Sequence, residues 1–208
     1  MNAGSARLLA IRHPAARYLG GAAIALFAFA PFALPTGARA DGWDMFATYF
    51  NNVAKAAAAN DAGAVTRLLA GGTSRADSLD DSGRTGLQVA ATNGNLQIAA
   101  ILIKAGANVN RKDTIGNTAL HAAIERNQTE MADLLIDVGA DINSENRNGM
   151  TPLMMAARAG NATVVRKLIE KGADARKTDF TGRDAVGWAQ ESRRPAVVQL
   201  LQRAAATR

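Results

Sequence analysis

The residues best equipped for chemistry are scarce in this chain, and the scarcity narrows what it does. Its 208 residues include no cysteine, which removes thiol nucleophiles, thiolate zinc sites, disulfide scaffolds and the lipid-modified cysteine of a bacterial lipoprotein. Histidine occurs twice, at His13 and His121. His13 falls in a leader-like segment, so His121 stands alone in the rest, and one imidazole cannot assemble a multi-histidine metal site. As a general base it would need a nucleophile to activate and a third group to orient it, and no local motif supplies them. A structural role is expected for it. Asp80, Asp113 and Asp179 recur at one repeat position, with Asn146 in the intervening copy. Repetition at a turn is what an Asx residue produces, its side chain bonding to nearby amides, whereas an acid and base pair needs carboxyls in unlike environments. Glycine-rich phosphate loops, HExxH and EF-hand patterns are absent from the sequence. Asn127-Gln128-Thr129 and Asn161-Ala162-Thr163 fit a glycosylation sequon, a three-residue pattern common by chance. No cofactor, no metal and no enzymatic activity are expected.

Charge removes a second class of function. The net charge is +6, yet residues 1–40 contribute Arg7, Arg12, Arg17 and Arg39 with no acid. From Asp41 on there are twenty basic and eighteen acidic side chains, a balance of +2, so composition gives no case for nucleic-acid binding. The basic first segment leads into an uncharged apolar run over residues 18–32, and Ala38-Arg39-Ala40 then supplies small residues two apart. Those three parts read as a secretory signal peptide cleaved after Ala40. No twin-arginine pair precedes the run, which favours the general secretory route. Retained instead as a membrane helix, the segment would make the protein an envelope-anchored one; its 18 residues from Tyr18 to Pro35 are at the short end for a span, and Pro31 opposes it. With 48% hydrophobic residues and no cysteine, the remainder must be held by its core alone.

The elements that position these residues follow one period. Gly83, Gly116, Gly149 and Gly182 are spaced by 33, and so are Gly106, Gly139 and Gly172. Around the first set the sequence reads GRTGLQVAATNGN, GNTALHAAIERNQ, GMTPLMMAARAGN and GRDAVGWAQESRR; around the second it reads KAGANVN, DVGADIN and EKGADAR. Thr85, Thr118 and Thr151 precede apolar runs as helix N-caps, and Pro152 sits where a helix tolerates proline best. Leu87, Leu120 and Leu153 point inward, while Ala90-Ala91, Ala122-Ala123 and Ala156-Ala157 keep the first helix thin enough for neighbours to approach. A second helix in each unit buries a stripe spaced by three and four: Ile98, Ile101 and Leu102, then Met131, Leu134 and Leu135, then Val164, Leu168 and Ile169. Gly106, Gly139 and Gly172 end those helices as left-handed caps.

These motifs resemble the ankyrin repeat, a turn and two antiparallel helices with a T-P-L-H-x-A signature. The resemblance implies an all-α solenoid of about five ankyrin repeats behind the signal peptide. The expected divisions are 1–40 for the signal peptide, 41–81 for an N-terminal capping repeat, 82–114, 115–147 and 148–180 for internal repeats, and 181–208 for a C-terminal capping repeat. In the last unit Asp184-Ala185-Val186-Gly187 replaces the signature, and Val197, Val198, Leu200 and Leu201 face inward on the final helix, with Gln199, Gln202 and Arg203 facing water. In the first unit Val65, Leu68 and Leu69 match the second-helix stripe, but no T-P-L-H precedes them. A helix is expected through residues 43–59, with Trp43, Phe46, Phe50, Val53 and Ala57 on one face. Four of the six aromatics from Asp41 on (Trp43, Phe46, Tyr49, Phe50) lie there, read as sealing the end of the core rather than docking on a membrane, because only Lys55 is basic nearby.

Function enters through the same resemblance. The family's hairpin tips and first-helix surfaces line a concave groove that binds proteins. Mapped here, that surface comprises Asp81, Ser82, Arg84, Thr92 and Asn93, then Lys112, Thr114, Ile115, Asn117, Glu125 and Arg126. Glu145, Arg147, Asn148, Met150 and Arg158 continue it, followed by Thr178, Phe180, Thr181 and Arg183. Ile115, Met150 and Phe180 are read as exposed apolar anchors, with Arg84, Lys112, Asn117, Arg126, Arg147, Arg158 and Arg183 as polar contacts. His121 matches the signature histidine, which in the family bonds to nearby backbone and the threonine side chain. The expectation is an exported, periplasmic, monomeric scaffold with a protein partner and no nucleic acid; membrane association would follow only from a retained leader. An envelope-anchored interaction protein and an effector delivered to host cells are the alternatives.

Overall fold

The computed structural model describes residues 52–71 and 75–206. All fall within one compact unit, Ala40–Arg208. The described residues form ten helices in five pairs: α1 (Val53–Ala58) and α2 (Ala62–Ala70), α3 (Gly86–Asn93) and α4 (Leu96–Lys104), α5 (Ala119–Glu125) and α6 (Thr129–Asp137), α7 (Pro152–Ala159) and α8 (Ala162–Glu170), and α9 (Ala185–Glu191) and α10 (Pro195–Ala206). The first helices stack in a row, α1 on α3 on α5 on α7 on α9, and the second helices back them. The all-α solenoid expected from the repeats is the fold observed.

Each first helix starts because a short polar side chain occupies the same place in the period. Asn52, Thr85, Thr118, Thr151 and Asp184 lie 33 residues apart and all precede a first helix with extended backbone. Asn52 Oδ1 accepts from the Ala54 amide at 2.8 Å, Thr151 Oγ1 from Met154 at 3.3 Å, and Asp184 Oδ1 from Gly187 at 2.7 Å. The helix expected through residues 43–59 is not continuous at residue 52. Asn52 has φ −112° and ψ 119°, outside the helical region, and its side chain caps the helix that begins at Val53. The first unit thus has a first helix in register, with asparagine where the others carry threonine or aspartate. Trp43, Phe46, Tyr49 and Phe50 lie outside the described residues, as does the leader.

The core is the sum of these stripes. Leu87, Leu120 and Leu153 are at most 1% exposed, each worth about 1.5–3 kcal/mol of burial. Ala90, Ala91, Ala123, Ala156 and Ala157 are fully buried, so the first helices approach closely enough that a larger side chain would not fit. From the second helices Ile98, Leu102, Met131, Leu135, Val164 and Leu168 are buried, whereas Ile101, Leu134 and Ile169 pack on the core from its margin and stay half-buried. At the far end Val197 and Leu201 are buried and Val198 and Leu200 half-buried, while Gln199, Gln202 and Arg203 face water, as a capping helix requires. No helix among the described residues is long and apolar enough to cross a membrane.

The second helices end as their glycines predict. Gly106 has φ +80°, its amide donates to Ile103 O, and the Ala107 amide donates to Leu102 O, a six-to-one closure that buries Ala107 behind the helix end. A side-chain ladder then ties unit to unit. Asp77, Asn110 and Asn143, again 33 apart, accept from the backbone amides of Asn108 (2.9 Å), Asp141 (2.7 Å) and Asp174 (2.9 Å) in the following copy. Each rung satisfies an amide that the loop leaves unpaired.

Candidate functional site

The hairpins between units are built by the recurring Asx residues. Oδ1 of Asp113 accepts from the amides of Ile115 (2.9 Å) and Asn117 (2.8 Å), and Oδ1 of Asp80, Asn146 and Asp179 accepts from the corresponding pairs. These side chains serve the turn, as expected. Successive hairpins also join by backbone: the Arg147 amide donates to Ile115 O at 3.1 Å and the Phe180 amide to Asn148 O at 3.2 Å. Gly116 is what permits this approach. Its φ is +81°, and a Cβ there would lie 2.9 Å from the Arg147 nitrogen.

His121 is a strut between hairpins. It is fully buried, its Nδ1 accepts from the Thr118 amide at 3.2 Å, and its Nε2 lies 3.2 Å from Met150 O. An amide can only donate, so Nδ1 is unprotonated and Nε2–H donates to the carbonyl. Burial pushes its pKa below the ordinary histidine value, with the bond to Met150 resisting that shift. One unit earlier Gln88 performs the same task without an imidazole. Its Oε1 accepts from the Thr85 amide at 2.7 Å and its Nε2 donates to Asn117 O at 2.8 Å and Arg111 O at 3.0 Å. No group of three or more acidic or histidine side chains among the described residues is placed to hold a metal ion.

On this frame the expected surface residues separate into two sets. Ile115 is 56% exposed and Phe180 77% exposed, the two most exposed large hydrophobic residues among those described. Lys112, Arg126, Arg147 and Arg158 are exposed, and Arg84 and Arg183 are half-exposed. Met150 and Asn117 depart from expectation, at 4% and 6% exposure. They share one repeat position, the last hairpin residue before the capping threonine. There the carbonyl closes its own hairpin and accepts the strut from the preceding unit, which locks the residue between units and turns its side chain inward. Neither contributes to the surface.

Trp188 belongs to neither set, and no motif in the sequence marks it. It lies on α9, half-buried, with Nε1–H donating to Asp179 Oδ2 at 2.9 Å, and the guanidinium carbons of Arg183 and Arg158 sit 4.8 and 5.4 Å from its ring centre. Burial works to raise the Asp179 pKa, but the bonds from Thr181, Arg183 and Trp188 outweigh it, so the carboxyl is held below its ordinary range. The available signal was a tryptophan at a repeat position where the preceding copies have Met155 and Ala122. Arg158 also reaches Met150 Sδ at 4.0 Å, which places its side chain on the side of α7 that faces the hairpins. Lys112 lies along the hairpin row, its Nζ donating to Glu145 O at 2.7 Å.

A family model described as ankyrin repeats, three copies, matches residues 53–146 and 133–207. No curated protein matches the chain significantly. The stacked helix pairs, the Asx-closed hairpins and the inter-unit struts of Gln88 and His121 are the physical content of that match, and the chain belongs to the ankyrin-repeat family.

Proposed function

We propose that this protein is an exported, non-catalytic scaffold that binds another protein through its hairpin tips and the adjoining first-helix surface. Ankyrin repeats generally mediate protein–protein interaction, which supports the class of function. The observation that carries the reading here is the contrast along the hairpin row. Backbone and Asx side chains are spent on the frame, while Ile115 and Phe180 project apolar surface into water at a stability cost that a partner would recover. The buried imidazole of His121 has both nitrogens engaged, which supports a non-catalytic role. Export and a periplasmic location rest on the segment ending in Ala38-Arg39-Ala40. The mass of the protein in cells tests that part, since a cleaved leader removes residues 1–40.

Binding is tested by affinity capture from native envelope extract on the immobilised chain, compared with an Ile115→Ser/Phe180→Ser variant. Both positions are exposed, so the variant keeps its core. The expected outcome is a protein retained by the first bait and lost from the second. Equal retention on both would remove these tips from the binding surface.

A further inference from the structure

The charges of the hairpin and inner-helix face are unequally committed. Its carboxylates are nearly all in use: Asp80 holds Arg84, Asp81 holds Lys55, Glu145 holds Lys177 and Glu191 holds Arg183. Asp113 and Asp179 are consumed by turn amides, and Asp179 also by Trp188. Glu125 is the exception. Of the cations, Lys112, Arg126, Arg147 and Arg158 form no ion pair among the described residues. Four cations on this face are therefore left without a carboxylate partner.

Two further features define what would meet it. The Arg158 guanidinium is held over Trp188, so less side-chain freedom is lost when it receives a carboxylate. Ile115 and Phe180 stand on the hairpins either side of that of Arg147, the Arg147 amide donating to Ile115 O and the Phe180 amide to Asn148 O. We infer that this face takes an acidic peptide segment whose carboxylates sit on Lys112, Arg147 and Arg158 and whose apolar side chains cover Ile115 and Phe180. The inference rests on the protein-binding reading above and names the chemistry of the partner.

The test is selection of displayed random linear peptides on the full-length chain, followed by fluorescence anisotropy of the enriched peptides. It is repeated on three variants: Lys112→Glu/Arg147→Glu/Arg158→Glu, Ile115→Ser/Phe180→Ser, and Arg166→Glu on the exposed side of α8 as a control. Circular dichroism and urea midpoints verify that each variant is folded. Enriched peptides should carry net negative charge, with Asp or Glu beside large apolar residues. Their affinity should fall at least about tenfold on charge reversal and about tenfold between roughly 50 and 300 mM salt, and stay unchanged in the control. Neutral or basic peptides that depend on Ile115 and Phe180 but not on the three cations would overturn the acidic-segment inference and leave the protein-binding reading standing. No enrichment, or enrichment indifferent to both variants, would overturn both. Displacement of the peptides by a single-stranded oligonucleotide that binds more tightly would also overturn the inference.

Discussion

His121 is neutral because of what surrounds it. Burial removes the water that would stabilise a charged ring, and Nδ1 already accepts from the Thr118 amide with the Thr118 hydroxyl 2.9 Å away. Unfolded, the ring titrates near the ordinary histidine value of about 6.5. Since the folded pKa is lower, the unfolded state binds the extra proton first as pH falls. The stability contribution of neutral His121 is thus complete above about pH 6.5 and is lost progressively below it. Gln88 shows that an amide side chain spans the same gap. His121→Gln should therefore cost no more than about 1 kcal/mol and should flatten the stability profile between pH 8 and 5.5. His121→Ala, which takes the acceptor from the Thr118 amide, removes one of the two bonds to the Met150 carbonyl and opens a cavity, should cost about 2–4 kcal/mol. Urea denaturation of both variants at the two pH values measures this, and an unchanged profile for His121→Gln would mean that another group sets the pH dependence.

At the scale of elements, the hairpins are the tightest constraint. Gly116 combines a positive φ with backbone of the next hairpin on the side where a Cβ would stand. Gly116→Ala should destabilise by about 1–3 kcal/mol through strain and separation of the 115–147 backbone bond, read as a lower urea midpoint. Gly106→Ala provides a comparison, because its Cβ would meet nothing within 4 Å and only the positive φ is penalised. The smaller loss is expected there. Much of this level is visible in the sequence: the capping threonines, the Asx residues and both glycine series fall at their positions before any coordinate is known. Asn52 was hidden because asparagine fits a helix-flanking loop as readily as a cap, and the aromatic pattern upstream suggested that the helix ran through it.

At the scale of the whole molecule, the extensive helix–helix contacts among the described residues join each unit to its neighbours, so stability is distributed along the stack. α10 closes the far end, its Val197 and Leu201 buried against the penultimate elements and its polar side in water. Leu201→Ala should loosen the last unit locally. Hydrogen exchange is expected to accelerate across residues 185–206 while the amides of α5 and α6 keep their protection. Uniform acceleration along the chain would instead show that the array unfolds as one cooperative block. The same nearest-neighbour logic makes the hairpin row a rigid frame whose exposed side chains can vary without disturbing the core.

The sequence by itself determined the period, the helix pairs, the inward leucines and alanines, and the structural place of His121. Those features repeat, and a local cap, a helical stripe or a left-handed glycine acts within a few residues. It also identified Ile115 and Phe180 as exposed tips. Only the tertiary structure decided that Met150 and Asn117 turn inward, because their fate depends on a side chain 29 residues earlier that claims the carbonyl. The commitment of each charge was decided there too. Glu145 and Lys177 are 32 residues apart and neutralise each other, while Arg147, two residues from Glu145, has no ion pair among the described residues. Which cations remain for a partner is a property of stacking, since charges count by their distance in space and not along the chain.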